Sequence, residues 1–136
     1  MTTIASTHGL GAISDPISNF KIARKGSGAV ISPTDVNQLS GWIYFSIPGQ
    51  PATNPNLKKV MVECTSSDAT VEALSINLGR EEVFSRGNLN KSNSFDLAID
   101  EGERAADIEN GIVVSIELKF ENQTANMEIQ SVAIEF

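Results

Sequence analysis

The chain holds one histidine, one cysteine and one tryptophan, and no apolar run approaches the length of a membrane span. Each scarcity removes a class of function. Nucleophilic catalysis of the Ser-His-Asp or Cys-His kind needs a histidine to carry the proton. The single candidate, His8, lies in a glycine-flanked N-terminal stretch and reads as an ordinary exposed side chain, so no catalytic residue is assigned and the chain reads as a non-enzyme. One histidine and one cysteine cannot supply the three or four ligands of a zinc or iron site. Cys64 has no partner for an internal disulfide, and its phase with Val60 and Val62 makes it a small core residue. No segment reaches the roughly 18 apolar residues of a spanning helix, so no membrane insertion is expected. Met1–His8 lacks a basic segment followed by an apolar one. The expectation is a cytoplasmic protein, or one exported without a classical signal peptide. Cations are also few, 10 Lys and Arg against 17 Asp and Glu, for a net charge of −7. Binding to a phosphate backbone rests on clustered cations, so nucleic acid is not an expected partner. No glycine-rich phosphate loop is present; Gly26-Ser27-Gly28 is too short and precedes a strand.

What the chain does have is a two-residue alternation. In Gly111–Glu121, Ile112, Val114, Ile116, Leu118 and Phe120 take every second place, and mostly polar residues fill the gaps. Successive side chains of a strand point to opposite faces, so this stretch has one dry face and one wet face. The same beat marks Gly41–Ile47, with Ile43, Phe45 and Ile47 on one side and Trp42, Tyr44 and Ser46 on the other. It recurs in Leu57–Thr65 and in Ser94–Ile99. In Ala69–Leu78 the phase switches between Val71 and Leu74, which predicts a bulge near Ala73. In Met127–Phe136 it switches again, which predicts a bulge near Gln130-Ser131. Shorter strands are expected at Ile17–Arg24, Ala29–Ile31 and Glu81–Arg86. Pro48–Asn56 carries three prolines and cannot pair regularly, so it reads as a connection from one sheet to another. About nine short strands with no amphipathic helix predict an all-β fold, an antiparallel β-sandwich of jelly-roll or Greek-key topology. The organisation expected is a single β-sandwich domain over 17–136, preceded by an N-terminal arm or edge strand over 1–16.

Three segments carry a resemblance: Gly41–Pro48, with its Trp, alternating aromatics and Ile-Pro; Gly111–Ile116, a Gly-Ile-x-Val-Ser-Ile strand; and Val132–Phe136, a closing strand with a terminal aromatic. Together they resemble a family of small bacterial β-sandwich proteins of unknown function, over residues 40–136. The resemblance implies the same fold and brings no activity with it.

Three functional readings follow. The first is a non-enzymatic structural protein that associates with copies of itself, a homo-oligomer held through strand edges or the N-terminal arm, since residues 1–16 could pair as an exposed edge. The second is a carbohydrate-binding, lectin-like module. Here Trp42 and Tyr44 would stack on a sugar, and Asn88, Asn90 and Asn93, crowded in one loop, would hydrogen-bond it. Against this, the chain has only six Phe, one Tyr and one Trp, and scarce aromatics are expected in the core, so Trp42 and Tyr44 are expected there. Calcium is the one cofactor weighed, because Asp100, Glu101, Glu103, Asp107, Glu109 and Asn110 offer oxygens in one loop. A solvated acidic loop explains the same residues. The third reading is a small hydrolase; glycoside hydrolysis needs a carboxylate pair, and nothing selects one from the seventeen acids.

Overall fold

A computed structural model describes residues 4–15, 17–18, 20–47, 57–79, 81–99 and 111–136. Eleven strands are present among them: β1 (Ile4–His8), β2 (Ile13–Ser14), β3 (Lys21–Lys25), β4 (Gly28–Ser32), β5 (Ser40–Ile47), β6 (Lys59–Ser67), β7 (Ala69–Leu78), β8 (Glu81–Arg86), β9 (Phe95–Ala98), β10 (Ile112–Phe120) and β11 (Asn126–Glu135). They form two antiparallel sheets. One runs β3-β4-β11-β6-β9, with β1 also on β11; the other runs β2-β5-β10-β7-β8. Most successive strands lie in different sheets, and only β3–β4 and β7–β8 are hairpins. This is the sandwich with cross-sheet connections that the alternation predicts.

The alternating strand is β10, the middle of the five-stranded sheet. Ile112, Val114, Ile116, Leu118 and Phe120 are all buried. They face the inner side of β6 and β11, where Val60, Val62, Cys64, Met127, Ile129, Val132 and Ile134 are buried in turn. Burying a Leu- or Ile-sized side chain is worth about 1.5–3 kcal/mol, so this shared layer dominates the stability. Both predicted bulges are present. The β10–β7 register shifts where Glu117 faces Ala73 and Leu118 faces Val71, leaving Glu72 as the extra residue. The β11–β6 register shifts between Ile129 and Ser131. Each bulge lets an out-of-phase run bury its apolar residues on the same side.

The N-terminus departs from the arm expected to reach another copy. β1 pairs along its own chain, Ile4 with Glu135 through His8 with Ser131. On the same edge of β11, β4 pairs with Met127–Ile129. The two strands thus meet end to end against β11, and the 3₁₀ turn Gly9–Gly11 fills the junction. Gly9 approaches so closely that a Cβ there would lie 1.8 Å from the Ile129 carbonyl oxygen. β1 uses one of its two edges in this way, so in place of an arm lent to another copy it is an edge strand of its own sheet. The strand expected over Ile17–Arg24 begins only at Lys21. Asp15 diverts the chain first, its carboxylate accepting from the Ile17 amide (3.2 Å) and its carbonyl from the Ser18 amide (3.0 Å). Pro48–Asn56 and the acidic loop lie outside the described residues, although β5 and β6, which flank the proline stretch, do belong to different sheets.

Cys64 is fully buried, and that burial pushes its thiol up to about 11. The folded state therefore holds the proton that an unfolded chain gives up. Its contribution to stability is complete below pH about 9 and is lost as pH rises towards about 11. At pH 8 a thiol reagent is expected to leave the folded protein unmodified and to label it at once in denaturant. Rapid labelling of the folded protein would contradict the packing of β6.

Candidate functional site

β5 places Trp42 and Tyr44 on the outer face of the five-stranded sheet, correcting the expectation that they belong to the core. The reason is the layer count. Ile43, Phe45 and Ile47 fill the inner phase of β5 with no exposure, and among the described residues no further layer packs over the other phase. Both aromatics are half-buried. Their rings stand two residues apart on one strand, about 7 Å along it. Among the described residues, neither the indole N–H nor the Tyr44 hydroxyl has a hydrogen-bond partner, so both polar tips are free to serve a ligand.

The backbone at Trp42 is held from both sides. On the inner flank it pairs with Glu117 of β10. On the outer flank its carbonyl accepts from the Asp15 amide (3.1 Å) and its amide donates to the Ser18 hydroxyl oxygen (2.9 Å). Ser18 is buried and takes the place of a neighbouring strand's carbonyl. Phe20 anchors this segment by standing edge-on to Phe120, with centroids 5.2 Å apart. Gly41 makes the packing possible, since a Cβ there would lie 2.2 Å from the Ser18 hydroxyl oxygen. Asp15, Ser18 and Phe20 thus fix the edge that presents Trp42.

Register builds the rest of the face. One row across the sheet reads Ile13, Tyr44, Ser115, Ser75, Ser85. The next reads Trp42, Glu117, Ala73. Small residues on the central strands β10 and β7 form a floor between the aromatics of β5 and Glu82 of β8. Ser75, outward-facing yet only 8% exposed, lies at the bottom. Trp42, Tyr44, Ser75, Glu82 and Ser115 enclose a shallow depression of about 290 Å³. A second, of about 370 Å³, follows along β10, with Glu72, Asn88, Glu117 and Lys119 among its walls. The β7 bulge brings Glu72 to this side, where it accepts from the Thr70 hydroxyl (2.8 Å).

Of the three loop asparagines, the structure brings one to this face. Asn88 adopts a left-handed conformation (φ 54°) as the chain leaves β8, and the Leu89 amide then bonds the Glu72 carbonyl (2.9 Å), drawing the loop alongside β7. Asn90, also left-handed, and Asn93 are exposed and line neither depression. Ser75, Glu82, Ser115 and Glu117 were missed in the sequence. Ser115 and Glu117 are the wet-phase residues of the alternating strand itself, a signal that marks solvent exposure without marking a ligand. The calcium ligands expected from the sequence, Asp100, Glu101, Glu103, Asp107 and Glu109, lie outside the described residues. Among those described, no group of three or more His, Cys, Asp or Glu side chains is placed to hold a metal ion.

An open face with two aromatic rings, hydroxyls on the floor and carboxylates on the walls suits a flat, polyhydroxylated ligand. The apolar C–H face of a sugar ring stacks on an aromatic ring, and its hydroxyls donate to carboxylates and share bonds with serines.

No family model matches the chain, and no curated protein does. Solved structures do. A xylan-binding module, CBM15, superposes with a TM-score of 0.58 at 12% identity, covering 100% of this chain and 97% of its own. The low-affinity xylan-binding module CBM86 of Roseburia intestinalis gives 0.57 at 9% identity, over 98% of this chain and 94% of that one. A family 29 carbohydrate-binding module from Piromyces equi gives 0.53 at 9% identity, over 98% and 90%. The chain therefore has, along essentially its whole length, the β-sandwich fold of carbohydrate-binding modules.

Proposed function

We propose that the protein binds a polysaccharide chain along the outer face of its five-stranded sheet and does so without chemical turnover. The observation that carries this reading is the placement of Trp42 and Tyr44, side by side and half-exposed, over a floor of Ser75 and Ser115. Among the described residues no further layer covers them, so their burial is left to a ligand. The two depressions succeed one another along β10, which suits several consecutive sugar units better than a single one. The fold supports the same reading, since the structures it resembles include modules named for xylan. Xylan is accordingly the first ligand to test. This reading takes the place of self-association, because the solved structures that share the fold are carbohydrate-binding modules.

Native electrophoresis in gels containing soluble xylan, mixed-linkage glucan or mannan tests the proposal. Mobility is expected to fall in at least one of them as polymer concentration rises, as in any gel whose matrix binds the migrating protein. Unchanged mobility in all of them would overturn it.

A further inference from the structure

The charge on this face carries a second reading, which rests on the one above. Among the described side chains that line the two depressions, Glu72, Glu82 and Glu117 are acidic and Lys119 is the lone cation. Glu117 sits directly opposite Trp42 on the neighbouring strand, a geometry that sets Cβ atoms about 5 Å apart. Glu82 stands on the far wall of the depression that holds both aromatic rings. The ion pair of Lys59 with Asp96 (3.4 Å) is on the other sheet, and among the described residues no cation forms a salt bridge with Glu82 or Glu117. Lys119 lies one outward position beyond Glu117, facing Ser40 and Thr70, away from Tyr44 and Glu82.

We infer that the face is selective for uncharged sugar chains, and that Glu82 and Glu117 are the residues that reject uronic acids. A sugar stacked on Trp42 brings its substituents beside Glu117. A hydroxyl there donates to the carboxylate and forms a charge-assisted hydrogen bond. A uronate carboxylate there meets a like charge, cannot donate, and strips water from both groups. Repulsion between partly exposed charges about 5 Å apart weakens binding by roughly tenfold or more at low salt. Salt shrinks the penalty, because the groups are open to counter-ions.

The test uses glucuronoxylan as isolated and after its carboxyl groups have been reduced to alcohols, so that the backbone is unchanged and only the charge is removed. Reduction is expected to strengthen wild-type binding several-fold in low salt, with the gain shrinking in high salt. In the Glu82→Gln/Glu117→Gln double variant the gain disappears, because unreduced polymer is no longer repelled locally. Glu63→Gln/Glu128→Gln removes the same two charges from the opposite sheet and is expected to keep the gain, separating the local effect from net charge. Equal binding of the two polymers by the wild type, or an unchanged gain in the Glu82/Glu117 variant, overturns the inference and leaves glycan binding standing. Failure of the wild type to bind either polymer or any neutral glycan overturns both.

Discussion

Replacing Trp42 with alanine is expected to weaken glycan binding about thirtyfold, an effect on the order of 2 kcal/mol, while leaving the fold intact. The asymmetry follows from where the indole lies. It is half-buried on a face that no further layer covers among the described residues, so truncation removes little of the packing that holds the sandwich together. The loss of folding stability should stay within about 1 kcal/mol, the range of substitutions outside the core. In the complex the same ring would supply most of the apolar area available to a sugar, and it stands opposite a hydrogen-bonding carboxylate, Glu117. Isothermal titration with a xylo-oligosaccharide checks the affinity, and urea unfolding checks the stability. Trp42→Phe should retain most of the binding, because the stacking surface survives. An alanine variant that binds as tightly as the parent would show that the ligand lies elsewhere.

The second large effect concerns the junction at which β1 and β4 meet against β11. Gly9→Val is expected to cost on the order of 3 kcal/mol of folding stability, seen as a drop in the urea midpoint of about 1 M or more. The cause is steric. A Cβ at residue 9 would lie 1.8 Å from the Ile129 carbonyl oxygen and 3.0 Å from the Ala29 amide nitrogen. All of these are backbone atoms within paired strands, with no flexible side chain to move aside. The chain would have to detach either β1 or the end of β4. Gly26→Ala is the control. It lies in the β3–β4 turn, where an added methyl group would meet nothing within 4 Å, and should change stability by less than about 0.5 kcal/mol. An unshifted midpoint for Gly9→Val would mean that the N-terminal strand does not pack where the structure places it.

The sandwich could be read from the sequence because alternation is a local signal with a single structural meaning. Ile112 to Phe120 can bury five side chains on one face only as a strand. The two bulges were readable for the same reason, since a phase switch within one strand has to be absorbed by an extra residue. The face was harder to read. Trp42 and Tyr44 occupy one phase of β5 and three aliphatic or aromatic residues occupy the other, and local sequence does not say which phase meets the second sheet. That depends on β5 pairing with β10, whose dry phase aligns with Ile43, Phe45 and Ile47. The floor of the face was invisible for a related reason. Ser75 and Ser115 are ordinary wet-phase residues until the β7–β10 register, which joins distant parts of the chain, sets them side by side. The role of Ser18 could not be foreseen either, because a hydroxyl standing in for a strand is recognisable only once Trp42 is beside it.

The most direct test uses the fact that Trp42 is the only tryptophan in the chain, so intrinsic emission reports on this face alone. Titration with xylan or a xylo-oligosaccharide is expected to shift that emission to the blue and to saturate, as the half-exposed indole exchanges water for a sugar ring. Saturable binding of the glycan with no change in Trp42 emission would place the ligand on another surface and contradict the account.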